Sequence, residues 1–497
     1  MIDNLRKGWT LSKLGNIGFW TSGGTPLRSK KEYYNGNIPW VKSGELKDRI
    51  INNTDEYITQ KGLEKSSAKI FDKGTLLIAL YGATIGRMGI LGIEAATNQA
   101  CAAFKTYGVK NKYVYYYLLF KRKYLIEKGQ GGAQPNISQG ILKEEEIPIP
   151  PILEQHRIVS KIEELFTKLD AGVGNLRKIQ KEIKRYRQAV LKYAFEGKLT
   201  AEWRKVNKDK LEPASELLKR IKEERKEALG KKYKELPIIV RSDLSELPKG
   251  WEYIRLEESA KVERGKFSYR PRNEPRFYTG QYPFIQTGDI VNANGRIRQF
   301  KQTLNEEGLK ISKLFKKGTI MVTIAANIGD TAILQMDACA TDSVVGVRAY
   351  PGIIPEYIEY CLRTKKDGLE KMAPATAQKN INLQILNPLP IPLPSEKEQQ
   401  KIIEEIERLF SVADEVEQVI EKSLKEAERL RQSILKIAFE GRLVPQDPND
   451  EPAEKLLERI KAELEAGRQK AEDRGRESED RSQKPEGGKR INSKKKK

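Results

Sequence analysis

Glu154-Gln155, Leu165-Phe166 and Ala194-Phe195-Glu196-Gly197-Lys198-Leu199 return 244 residues further on as Glu398-Gln399, Leu409-Phe410 and Ala438-Phe439-Glu440-Gly441-Arg442-Leu443. The offset does not slip anywhere in this segment, and it also holds outside it. Pro39-Trp40-Val41-Lys42-Ser43-Gly44-Glu45 matches Pro283-Phe284-Ile285-Gln286-Thr287-Gly288-Asp289, Lys73-Gly74-Thr75 matches Lys317-Gly318-Thr319, and Gln134, Asn136 and Ile137 match Gln378, Asn380 and Ile381. One module, a globular part followed by a long helix, is therefore used twice.

In the first helical stretch Ile162, Phe166, Leu169, Val173, Leu176, Ile183 and Val190 follow alternating steps of three and four, the pattern of a coiled-coil seam. Ile406, Phe410, Ala413, Ile420, Leu424, Ala427 and Ile434 repeat it in the second. The most economical partner of each helix is the other. Two-fold pairing of like modules requires the helices to run antiparallel, with the globular parts at opposite ends of a rod. Some 45 helical residues then make a spacer on the order of 65 Å.

The globular parts, 1–146 and 248–390, open with Lys7-Gly8-Trp9 and Lys249-Gly250-Trp251. Apolar runs at Thr75 to Tyr81 and Thr319 to Ala325 read as buried strands, and Tyr113 to Phe120 and Pro355 to Leu362 as helices, which makes mixed α/β domains. Proline-rich exits, Ile147 to Pro151 and Leu389 to Pro394, cannot be helical and read as stiff hinges. The expected order is domain 1–146, hinge and helix 147–200, short helix and linker 201–247, domain 248–390, hinge and helix 391–445, short helix 446–467 and a disordered charged tail 468–497. Glu212-Pro213-Ala214 and Glu451-Pro452-Ala453 place proline in the first turn of the short helices.

The net charge is +22 over 497 residues, and 38% hydrophobic content is enough for real cores. The segment from Arg468 onward holds 12 basic and 6 acidic residues, so the body alone keeps +16 and attracts polyanions in a salt-dependent way. Cys101, Cys339 and Cys361 lie far apart and suggest buried thiols rather than a disulfide framework or zinc site. The N-terminus lacks an apolar signal region, and no stretch approaches the ~18 apolar residues of a membrane span, so a cytoplasmic location is expected.

Catalytic patterns are weak. Asn387-Pro388-Leu389-Pro390 lacks the second adjacent proline and the aromatic of an amine methyltransferase loop, and no phosphate-binding GxxxxGK[ST] occurs. His156, the only histidine, corresponds to Gln400 in the repeat and reads as a solvated helix residue. Glu263-Arg264-Gly265-Lys266 contains a nuclease-like Glu-x-x-Lys spacing of low specificity in a chain with 32% charged residues.

A nucleic-acid surface remains. In the first domain Ser22, Gly23, Gly24, Thr25, Arg28, Lys30, Lys31 and Tyr33 gather amides, hydroxyls, cations and an aromatic in one loop, with Lys42 and Ser43 nearby. Arg264, Lys266, Tyr269, Arg270, Arg272 and Arg276 occupy the equivalent stretch of the second, with Gln286 and Thr287. Arginine reaches guanine O6 and N7 bidentately, while hydroxyls and glycine amides suit phosphates. Asn98, Gln99, Gln134 and Asn136 in one domain, and Asn327, Asp342, Gln378, Asn380 and Asn382 in the other, are candidates for adenine or cytosine edges. Taken singly, each is as well explained as a turn-former; clustered in paired domains, they point to DNA.

The order of domain, proline-rich exit, helix ending Ala194 to Leu199, Glu212-Pro213-Ala214-Ser215-Glu216-Leu217-Leu218, Leu247-Pro248-Lys249-Gly250-Trp251, domain and helix resembles the DNA specificity subunit of Type I restriction-modification systems. Gln134-Pro135-Asn136-Ile137-Ser138 adds to the likeness, and the second domain departs from it with Gln378-Lys379-Asn380-Ile381-Asn382. The resemblance implies two target-recognition domains, each reading half of a split DNA sequence, and a central antiparallel coiled coil that docks two methyltransferase subunits. It also implies an ATP-driven restriction subunit, methyl transfer from S-adenosylmethionine on the partner, and no catalytic residue, metal or cofactor on this chain. A self-sufficient methyltransferase or nuclease with fused recognition domains is the alternative, and a coiled-coil scaffold without specificity a third reading.

The seam makes a distance prediction. Four residues inserted after Leu176 add ~6 Å of rise and a net rotation of ~40°, which should lengthen the unread gap between half-sites by about one or two base pairs. Two inserted residues rotate the apolar stripe by ~200° and should abolish function. Mapping modified sites for both variants checks this, and an unchanged gap in the four-residue variant would contradict it.

Overall fold

The computed structural model describes residues 5–129, 136–237, 239, 244–373 and 380–465. The tail 468–497, Gln134 and Gln378 lie outside them. The chain divides into two compact units, Met1–Asn175 with Ser423–Lys497, and Leu176–Lys422.

In the first unit a five-stranded sheet runs Gly18–Ser22, Cys101–Thr106, Leu76–Ala79, Met88–Leu91, Arg49–Ile51. A four-stranded sheet runs Tyr57–Ile58, Tyr34–Val41, Ala95–Thr97, Ile70–Phe71. Most pairings are antiparallel, but Trp40 lies beside Ala96, and Arg49 beside Gly89, in parallel register. Leu76-Leu77-Ile78-Ala79 is continuously apolar because both its faces are covered. Leu76 and Ile78 join Trp20, Phe104 and Tyr113, while Leu77 and Ala79 join Val41 and Leu46.

The second unit repeats this plan. Its five strands are Ala260–Arg264, Val344–Ala349, Ile320–Thr323, Thr331–Leu334 and Arg296–Ile297; its four are Gln302–Leu304, Tyr278–Ile285, Ala338–Ala340 and Leu314–Phe315. The helices read at Tyr113 and Pro355 extend over Asn111–Lys128 and Pro355–Met372. The mixed α/β tandem repeat with long helices is thus the architecture observed.

The proline-rich exits differ from expectation. They are strands, not hinges: Glu146–Ile149 pairs with Thr10–Lys13, and Pro390–Leu393 with Glu252–Arg255. A two-stranded ribbon accommodates prolines whose missing N–H would face away from the partner. Their carbonyls are used as well, Pro148 O accepting from Tyr113 Oη and Pro392 O from Tyr357 Oη, both at 2.8 Å.

The long helices are α1, Ile152–Phe195, and α2, Glu396–Phe439. In the first unit Ile162, Phe166 and Ile434 are buried, and Leu169, Val173, Leu424 and Ala427 half-buried. In the second Ile183, Val190, Ile406, Ala413 and Ile420 are buried, and Leu176 and Phe410 half-buried. The same three-residue clasp recurs. Arg431 lies 4.4 Å from the Phe166 ring and pairs with Asp170; Arg187 lies 5.2 Å from the Phe410 ring and pairs with Asp414 at 2.7 Å. Within each unit the chain directions are antiparallel: Arg157 meets Asp450 where Asp170 meets Arg431, and Arg204 meets Glu398 where Arg187 meets Asp414.

The Glu-Gln signature seats each domain. Trp9 Nε1 donates to Glu154 at 3.1 Å, and Trp251 Nε1 to Glu398 at 2.9 Å. Gln155 accepts from Lys110 N, and Gln399 from Ile354 N, both at 3.0 Å. At the helix ends Gly197 and Gly441 take φ of +68° and +70°, the left-handed stop glycine provides, after Phe195 packs on Tyr357 and Phe439 on Tyr113.

The two seats are not equivalent. Glu398 Oε1 also receives Thr200 Oγ1 at 2.7 Å and Arg204 Nε at 2.8 Å, whereas Glu154 Oε1 is buried without a partner. Val444 and Pro448 stand at the repeat positions of Thr200 and Arg204. Burial raises the Glu154 carboxyl above its usual range, and Trp9, Gln446 and the Arg157 charge only partly oppose this. A raised folded value favours stability at low pH and is lost as pH rises through it, so at neutral pH this charge costs stability. Glu154→Gln, which keeps an acceptor for Trp9, should raise the unfolding temperature at neutral pH and flatten its pH dependence. Glu398→Gln should lower stability by about 1.5–3 kcal/mol, because Arg204 and Thr200 lose a charged acceptor. Calorimetry of both variants at neutral and mildly acidic pH checks the pair.

Candidate nucleic-acid interface

Each candidate loop leaves the edge strand of the five-stranded sheet through a glycine that no side chain can replace. A Cβ on Gly23 would sit 2.1 Å from the Thr97 carbonyl, and one on Gly265 2.1 Å from that of Thr341. Beneath each loop lies an aromatic bed, Tyr34 with Trp40 and Tyr278 with Phe284, ring centroids 6.1 Å apart in both.

In the first domain Arg28 lies over this bed, 4.7 Å from the Tyr34 ring and 4.9 Å from the Trp40 ring. Its Nη1 reaches Glu56 Oε2 at 2.6 Å, and Lys42 Nζ reaches Glu56 Oε1 at 2.6 Å. Arg28, then Lys42, hold the Glu56 carboxyl below its usual range. Trp40 Nε1 donates to Gly24 O at 3.0 Å, Tyr34 Oη to Pro26 O, and Thr25 Oγ1 to Gln99 Oε1. Ser22 Oγ accepts from Gln139 Nε2 at 2.6 Å. Lys30 and Lys31 are exposed, and Tyr33, Lys42 and Ser43 half-buried. Asn98 Oδ1 is buried without a partner, and Asn136 is exposed next to Ile137, whose N–H bonds Leu80 O at 2.8 Å.

The second domain equips the same frame differently. Phe267, not an arginine, covers the bed, 6.0 Å from Tyr278 and 5.2 Å from Phe284. Arg270 Nη1 donates to the carbonyls of Phe267 at 2.6 Å and Tyr269 at 2.8 Å, and its Nη2 to Asp342 at 2.7 Å. Arg272 binds the other Asp342 oxygen, and Arg264 Nε the Asp342 carbonyl at 2.6 Å. Arg276 stacks on Tyr269 at 4.8 Å and Phe277 at 4.6 Å. Gln286 Nε2 donates to Gln302 Oε1, mirroring the Lys42 to Glu56 contact, and Thr287 begins a short helix. Lys266, Asn327 and Asn380 are exposed, with Asn380 bridged to Ala325.

Several residues therefore take roles the sequence did not disclose. Asp342 clasps two arginines rather than standing free for a base edge. Gln99 holds the equivalent place, since Thr97 pairs with Val41 and Ala340 with Ile285, each two residues upstream. Asn382 caps a helix through Ile385 N at 3.3 Å, as Ser138 caps another through Ile141 N at 3.2 Å, so the departure between the two motifs exchanges one capping residue for another. Glu263 pairs with Lys313 at 2.8 Å and Lys261 at 3.2 Å on the sheet surface. Glu56 was missed, and nothing in its sequence surroundings marks it. Among the described residues no group of three His, Cys, Asp or Glu is placed to hold a metal, and no helix is long and apolar enough to cross a membrane.

A family model described as Type I restriction modification DNA specificity domain matches residues 6–185 and 248–426. The chain belongs to this family. Each match begins at the Lys-Gly-Trp opening of a domain and runs into its long helix. Among relatives of this specificity-domain chain, the Type I restriction enzyme EcoDI specificity subunit of Escherichia coli is 26% identical over 446 residues, 86% of this chain and 94% of that one. The MjaIX specificity subunit of Methanocaldococcus jannaschii is 29% identical over 322 residues, 63% of this chain and 65% of that one. The solved HsdS subunit from Thermoanaerobacter tengcongensis shares the fold at 18% identity and a TM-score of 0.52, covering 89% of this chain and 99% of its own. A chain from a structure on assembly and conformational transition of the type I R-M system gives 17% identity and a TM-score of 0.61, covering 88% and 99%.

The Asp342 clasp yields a prediction. Asp342→Ala should relax discrimination in the half-site of the second domain alone and raise sequence-independent affinity, since one negative charge disappears from a cationic face. Titrating duplexes that differ in one half-site at a time checks this; equal losses for both half-sites would contradict it.

Proposed function

We propose that the chain is the sequence-specific DNA-recognition subunit of a Type I restriction-modification complex, reading a bipartite target with one domain per half. The observation that carries this reading is the duplicated frame, in which a glycine-tethered cationic loop over an aromatic bed occurs twice with different side chains. Two unlike heads on one scaffold suit two unlike half-sites. The net charge of +22 supplies sequence-independent attraction to the duplex.

The paired helices offer the docking surface for two methyltransferase subunits, and an ATP-dependent restriction subunit joins that assembly. Methyl transfer and cleavage then belong to the partners, and this chain acts without catalysis of its own, in the cytoplasm, where the DNA is.

The purified full chain should bind duplex DNA with a preference for one bipartite sequence and show no methylation or cleavage by itself. Adding the methyltransferase partner and S-adenosylmethionine should produce adenine methylation at that sequence. Binding that depends on salt but not on sequence would leave only a scaffold, and methylation by the chain alone would overturn the division of labour.

A further inference from the structure

We propose that Arg28 reads a guanine in the half-site of the first domain, an inference that rests on the DNA-recognition reading above. Between Gly23 and Tyr34 it is the single arginine, and it is the best-held cation of the loop. Two rings lie beneath its guanidinium, at 4.7 and 4.9 Å, and Glu56 takes Nη1 at 2.6 Å. The supports are themselves fixed. Trp40 is 1% exposed and bonded to Gly24 O at 3.0 Å, and Glu56 is held from its other oxygen by Lys42 at 2.6 Å.

Among the described residues nothing accepts from Nε or Nη2, although the side chain is 54% exposed. The free flank therefore presents two parallel N–H donors in one plane, with the side-chain freedom already spent on the stack. In the major groove only guanine offers two acceptors, O6 and N7, with that spacing. Adenine sets its N6 donor beside N7, cytosine presents a donor, and thymine pairs a single O4 with a methyl group. Lys30 and Lys31, exposed and flexible, suit phosphates better. The assignment is specific to this domain, since in the second the bed carries Phe267 and the arginines are gathered by Asp342 instead.

The test uses the full chain and selection from a random duplex pool, followed by replacement of each guanine of the first half-site with 7-deazaguanine, which lacks the N7 acceptor. At one position this substitution should weaken binding by roughly five- to hundredfold for the natural chain and leave Arg28→Ala unaffected. Arg28→Ala should equalise the four bases there, keep the second half-site and unfold at the same temperature; Arg28→Lys should keep affinity while losing discrimination. A first half-site without any G·C pair overturns the assignment. So does an Arg28→Ala variant that loses affinity equally for all sequences with a salt slope lower by about one, the signature of a phosphate contact. Sequence preference without guanine sensitivity removes Arg28 alone, whereas absence of any sequence preference removes the recognition reading with it.

Discussion

The bond from a buried indole to a buried helix carboxylate, Trp9 to Glu154 and Trp251 to Glu398, is the constraint on which the rest depends. A recognition domain is useful only if its loop keeps a fixed attitude to the helix that carries it. The carboxylate sits in the first turn of the long helix, where the helix dipole favours negative charge, and the indole sits at the entrance to the domain. The next residue, Gln155 or Gln399, ties the helix to the segment before the domain's own helix. Packing of Phe439 on Tyr113, or Phe195 on Tyr357, adds non-directional apolar burial, and the directional bonds fix the angle.

Apart from the unequal seats, the two domains differ chiefly at the head. Both keep the stop glycine, the close approach of Gly23 or Gly265 to a strand carbonyl, and the ring pair under the loop. They differ in what lies on the rings, Arg28 in one and Phe267 in the other, and in which carboxylate gathers the cations, Glu56 or Asp342. Glu56 enters from the residue before the edge strand Tyr57–Ile58 and Asp342 from the turn after Ala338–Ala340, so the two solutions lie on separate elements of one frame.

Periodicity carried far in the sequence because helices and buried strands are local. The 244-residue offset, the seam from Ile162 to Val190 and the apolar run at Leu76 all express spacing along one segment. The proline-rich exits read as hinges for a related reason: proline excludes helix locally, but only a distant partner, Thr10–Lys13 or Glu252–Arg255, makes the segment a strand. The chemistry of Asn382 allows base reading, whereas the helix start it caps is settled by tertiary position. Glu56 stands 28 residues from Arg28 and 14 from Lys42 and follows no period, so the contact that orients the strongest candidate was invisible.

Carboxylates beside the arginines of a loop proposed to meet DNA look wasteful, since each one weakens attraction to phosphate. The gain is in discrimination. A free cation finds a phosphate on any sequence and adds equally to right and wrong sites. A guanidinium already paired on one side and stacked on its face keeps its charge but has much of that charge's outward field offset and little mobility left, and its remaining N–H donors have fixed direction. Opposite a matching pair of acceptors it binds at little further entropic cost; opposite a mismatched base those donors lose water without replacement, which is where specificity comes from. The chain, at +22, has attraction to spare, and paired carboxylates let position rather than charge decide.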